Sequence, residues 1–146
     1  MGFSDDINRF VKKTAPKPNK LVKNVVHKVA AKLILMTPVG DADFWQSKPP
    51  AGYLGGHARF NWTYSMGTRV KQELTGIDQS PGGAATYQRL VESMPVNMGD
   101  NVHYIQNSVP YILRLEDGYS RQAPNGMAAV TAAEFQGIVS EEVSKL

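Results

Sequence analysis

The chain contains no cysteine. That excludes disulfides and thiolate metal sites, and it fits assembly in a reducing cytoplasm. Long apolar runs are also missing. The richest one, near residue 30, is interrupted by Lys32, whereas a membrane span needs about 20 consecutive apolar residues, so no membrane partner is expected. Acids are missing from a third stretch: none lies between Asp6 and Asp41. The first ten residues, MGFSDDINRF, carry acids where a secretory signal needs a basic and then an apolar segment, and Asp6 stands where a myristoylation signal calls for Ser or Thr. Neither signal is expected.

What is present fits one domain of 1–146. A chain of this length buries roughly 70% of its unfolded surface and can hold a core without staples. The net charge of +3 hides an asymmetry. Arg9, Lys12, Lys13, Lys17, Lys20, Lys23, Lys28 and Lys32 are half of the 16 basic residues, and the remainder of the chain is mildly acidic. Such a segment suits nucleic acid or complementary neighbours in an assembly. Lining a channel and touching DNA phosphates without reading sequence is one use for it; a solvated helix face is the other. Only Phe10 interleaves with the lysines, which disfavours stacking on single strands.

Periodicity predicts the elements. Ser4 caps a short helix carrying Ile7, Phe10 and Val11, which Pro16 and Pro18 end; residues 1–19 form a basic arm. From Lys20, the residues Leu21, Val22, Val25, Val26, Val29, Ala30 and Leu33 make one helical stripe, stopped at Thr37-Pro38. Residues 38–57 have no period but hold Phe44, Trp45, Tyr53 and Leu54, a long loop of the kind that usually serves function. Ala58, Phe60, Trp62 and Tyr64 alternate with polar residues as in a strand, and 66–74 reads as a weaker second strand. After the loop 75–83, Tyr87, Leu90, Val91 and Met94 fit a short amphipathic helix. Residues 98–101 form a turn, 102–107 a strand, and PYILRLEDG a short helix stopped by Gly118. The last helix opens on a capping box, Thr131 to Glu134, and buries Phe135, Ile138, Val139 and Val143. This order predicts an α+β fold, with an antiparallel or mixed sheet packed against the main N-terminal helix and the C-terminal helix.

No catalytic constellation emerges. His27, His57 and His103 lie on separate elements without a second ligand at metal-site spacing. GYLGGH (52–57) precedes a strand and lacks the Lys and Ser/Thr of a phosphate loop. Neighbouring Glu116 and Asp117 face different ways on a helix. No cofactor, no metal and no enzyme activity is expected.

Two blocks carry a resemblance. Residues 33–62 hold Thr37-Pro38-Val39, Gly40-Asp41 and Asn61-Trp62. Residues 104–135 hold Asn107, Pro110-Tyr111, Leu115-Glu116-Asp117-Gly118 and the run Ser120 to Met127. GIDQSPGGAAT (76–86) lies between them. In this order they resemble the neck and minor tail protein family of tailed phages, relatives of the lambda tail-completion protein Z. The likeness covers roughly residues 20–137; the basic N-terminus lies outside it. Where family members have a short Asp-Thr-Gly-type loop after Thr-Pro-Val, this chain has the long Trp/Tyr version.

The resemblance implies a structural virion protein, a homo-oligomeric ring, often a hexamer, that joins the head-proximal end of the tail to the head. Its partners would be a head–tail connector or stopper and tail terminator or tail tube proteins, with non-specific contact to packaged DNA suggested by charge alone. Localisation would be the virion neck, after assembly in the host cytoplasm. A tail terminator capping the tube, and a free DNA-binding protein acting through 9–32, are the competing readings. Ring closure requires heterologous contacts. Phe44, Trp45, Tyr53 and Leu54 in the long loop, and Glu116, Arg121 and Gln122 in the later loops, are the candidate contact residues.

Overall fold

The computed structural model describes residues 18–40, 54–99 and 101–146. The expected short helix near Ile7, most of the long loop and Asp100 of the 98–101 turn lie outside them. Among the described residues the fold is α+β, with two strands in one antiparallel sheet.

Helix α1 (Pro18–Met36) organises the molecule. Pro18 at its first position has φ preset for a helix and no N–H to leave unpaired. Spacings of three and four put Leu21, Val25, Val26, Ala30, Leu33 and Ile34 on its buried side. Each fully buried aliphatic chain contributes roughly 1.5–3 kcal/mol. At the C-terminal end the Thr37 hydroxyl donates to the Leu33 carbonyl at 2.6 Å, and Pro38 prevents another turn.

The alternation read as a strand over 58–64 resolves differently. His57–Phe60 is one helical turn, α2, and strand β1 is Trp62–Met66. The cause is nonlocal. Gly56, at φ 108, packs against the Asp78 backbone and accepts the Phe60 N–H at 2.9 Å, closing a turn before the strand can start. Beyond Met66 the weaker strand expected over 66–74 does not form. Side chains take its backbone groups instead: the Val70 N–H donates to Gln106 Oε1 at 2.7 Å and the Leu74 N–H to Asn61 Oδ1 at 2.6 Å.

Strand β2 (His103–Asn107) pairs with β1 in the register Trp62↔Asn107, Tyr64↔Ile105 and Met66↔His103. Between the strands lies α3 (Ala84–Ser93), preceded by the tight turn Pro81–Gly83. Helix α4 (Ile112–Glu116) follows β2 and is ended by Gly118 at φ 88. Helix α5 (Ala128–Ser144) begins three residues before the expected capping box. Thr131 donates to the Met127 carbonyl inside the helix, and Glu134 turns to Lys32; the carboxylate that satisfies the helix start comes from Glu116.

Two clusters meet on α1. The larger joins Val26, Ala30, Leu33 and Ile34 to Trp62, Tyr64, Leu90, Met94, Met98, Ala123 and Met127. The smaller sets Leu21 and Val25 against Ile138 and Val139 of α5, with Phe135 and Val143 partly buried beside them.

Candidate functional site

Several polar residues of the two resembling blocks tie one segment to another, two of the ties lying at the end of α1. Trp62 Nε1 donates to Thr37 Oγ1 at 2.7 Å, fixing β1 to the helix end. Asn61 Nδ2 reaches the His57 and Leu74 carbonyls at 2.9 and 3.1 Å. Asn107 Nδ2 donates to the Ala58 carbonyl at 2.7 Å, bringing the end of β2 onto α2.

Asp78 is the centre of a second knot. Its carboxylate accepts from the Ser80 and Thr86 hydroxyls and from the Ser80 and Thr86 N–H groups, the last two at 2.8 and 3.0 Å. Burial alone would push this carboxyl up. The Ser80 and Thr86 side chains and then their backbone donors outweigh it and bring Asp78 to about 2. The Arg59 side chain, also buried, donates to the Asp78 and Ser80 carbonyls. From the sequence, 75–83 reads as a loop, and 76–86 as part of the resemblance, with no role for Asp78. The Asp-x-Ser spacing, which lets an Asp side chain bond the backbone two residues on, was the signal for Asp78.

The long loop stands on a fixed base. A Cβ on Gly55 would lie 1.9 Å from the Gly40 carbonyl oxygen, so the two backbones touch. Gln122 fastens the outgoing side: the Val39 N–H donates to Gln122 Oε1 at 2.9 Å, and Gln122 Nε2 donates to the Val39 carbonyl at 2.8 Å. Residues 39–40 and 55 are therefore held together at one place. Leu54, 58% exposed, presents apolar surface beside Gly55, while Leu35, 67% exposed, lies beside Gly82.

The expected contact residues divide. Phe44, Trp45 and Tyr53 lie outside the described residues. Leu54 and Arg121 are exposed. Gln122 spends its amide on Val39. Both Glu116 oxygens are engaged internally, accepting the N–H groups of Met127, Ala128 and Ala129 at 2.8–2.9 Å. On the same block Leu113 is 75% exposed and Tyr119 64%, with the Arg114 guanidinium 5.4 Å from the Tyr119 ring centre.

The basic residues divide as well. Arg9, Lys12, Lys13 and Lys17 lie outside the described residues. Lys28 pairs with Glu141 at 2.8 Å and Glu142 at 3.4 Å, and Lys32 pairs with Glu134. These two lysines join α1 to α5. Among the described residues Lys20 and Lys23 have no acid within ion-pair distance.

Two arrangements could suggest chemistry. Tyr64 Oη lies 2.7 Å from His103 Nδ1, with the rings stacked; burial raises the tyrosine and lowers the histidine, favouring the neutral form of each. Ser80 bonds Asp78 and accepts the Ala85 N–H at 2.9 Å, which is a loop-fixing role. Among the described residues no cluster of His, Asp or Glu could hold a metal, and no helix is long and apolar enough to cross a membrane. Among known proteins, no family model, curated protein or solved structure matches this chain.

Proposed function

We propose that the chain is a structural protein of a tailed-phage virion, a ring-forming neck or tail-completion subunit joining the head-proximal tail end to the head, and not an enzyme. One observation carries the reading. The sequence 41–54 is rich in large apolar side chains, Phe44, Trp45, Tyr53 and Leu54, and the residues that flank it are fixed, Gly40 against Gly55 and Val39 to Gln122, with Leu54 exposed. Apolar surface on a rigid footing is suited to burial against another chain. The resembling blocks support the same conclusion, because many of their polar residues join the segments around this frame. The basic segment gives less support to a free DNA-binding protein, since Lys28 and Lys32 already neutralise acids of α5.

Particles assembled without the protein test the proposal. Negative-stain images should show separate heads and tails, or unstable head–tail joints. Overlong tails would instead place the subunit at the tube terminus. Normal, infectious particles would refute a structural role.

A further inference from the structure

Beyond assembly, the segment after β1 carries a device of its own. Trp62, Tyr64 and Ile105 face the core, so Thr63, Ser65, Tyr104 and Gln106 lie on the opposite face of the sheet. Residues 67–76 return across that face. Ser65 Oγ donates to the Thr68 carbonyl, the Val70 N–H donates to Gln106 Oε1, and the Arg69 guanidinium sits 5.6 Å from the Tyr104 ring centre.

The far end of this segment is held by two side chains, Asn61 on the Leu74 backbone and His57 on either side of it. His57 Nδ1 lies 2.7 Å from the Gly76 carbonyl oxygen, and Nε2 lies 2.7 Å from Glu73 Oε1. A carbonyl and a carboxylate can only accept, so both ring nitrogens must donate, and only the doubly protonated ring has two N–H groups. Asn61 Nδ2 also approaches the ring, at 3.4 Å, but its hydrogens are directed to the His57 and Leu74 carbonyls.

We propose that residues 67–76 are a proton-latched strap: His57, as an imidazolium gripping Glu73 and Gly76, holds the segment over the outer face of the sheet, and loss of that proton loosens it.

The surrounding charges leave Glu73 as the controlling partner. Arg59 is turned to the Asp78 and Ser80 carbonyls, Arg89 to the Phe60 and Trp62 carbonyls, and the Asp78 carboxylate to Ser80 and Thr86. Lys71, on the strap itself, is exposed. The bond to Glu73 first, and the Gly76 carbonyl second, raise the imidazole above its ordinary 6.5 against the opposing effect of burial. A raised folded-state value fixes the sign. The latch contributes fully below 6.5 and fades as pH rises through the folded value.

The test follows the full-length chain by NMR. His57 should titrate above 6.5. Between pH 6 and pH 9, exchange of the Val70 and Leu74 amides should accelerate beyond the intrinsic pH effect, by up to about fivefold for a partly exposed ion pair, while Trp62 and Ile105 amides in the sheet do not. In Glu73→Gln, His57 should titrate lower, and strap protection at pH 6, corrected for the intrinsic pH effect, should already match that of wild type at pH 9. In His57→Gln the pH dependence should vanish. A His57 that titrates at or below 6.5, or strap exchange that ignores the titration, overturns the proposal. Neither readout depends on assembly, so the virion reading stands or falls separately.

Discussion

Replacing Asp78 with alanine should lower the free energy of unfolding by about 3–5 kcal/mol, the range for removing a buried charge whose partners are then left unpaired. The residue is 3% exposed and its carboxylate gathers four donors from two residues. The loss also spreads. Asp78 starts α3 through Thr86, and its backbone carbonyl holds Arg59 while its N–H donates to the Gly56 carbonyl at 3.0 Å. Loosening the turn therefore frees α3 and the base of the long loop together. Asp78→Asn, which keeps an acceptor but no charge, should cost less.

The same carboxyl makes stability fall in acid. Its folded value of about 2 lies below the ordinary 3.8. The contribution is complete above 3.8 and disappears as pH falls through about 2, a loss of about 2 kcal/mol. Urea unfolding at pH 7 and in acid, compared between wild type and Asp78→Asn, isolates this part. Equal acid sensitivity in the two proteins, or an Asp78→Ala midpoint unchanged from wild type, would contradict the role given to the knot.

Glu116→Ala should cost about 2–3 kcal/mol, as expected for a helix N-terminus losing a charged acceptor. Burial of Glu116 works against its charge. The N–H groups of Ala129, Met127 and Ala128 more than compensate, and the carboxyl stays below its usual range. Negative charge at this end also suits the helix dipole. The site is built tightly around the contact: Gly126, at φ 81, would place a Cβ 2.4 Å from the Glu116 carbonyl oxygen. The effect reaches the core because α5 carries Ile138 and Val139 onto α1. Unfolding by urea measures the loss, and amide exchange at Ala128–Thr131 locates it. A variant as stable as wild type that fails to assemble would return Glu116 to the subunit contacts the sequence first suggested.

What the sequence revealed was set by distance along the chain. The stripes of α1 and α5, the Thr37-Pro38 stop, the Gly118 stop and strand β2 depend on neighbouring residues and were readable. The true start of α5 was not, because its capping carboxylate lies 11 residues away from Met127 in Glu116. Phe60 matched a strand by its spacing, yet Gly56, Asp78 and Leu74 together decide that its residues form a turn. Lysines 28 and 32 looked free for the same reason: their acids lie on the last helix. In the candidate site, the set of residues was legible as a pattern, but their work of joining Thr37 to Trp62, Val39 to Gln122 and Asn61 to Leu74 requires the folded chain.

The central claim is best tested by a reconstruction of the assembled virion neck. The account predicts a closed circle of copies in which residues 41–54 of each subunit lie against the next copy or an adjoining ring. A neck without such a circle, or one in which that segment packs only on its own subunit, would contradict it.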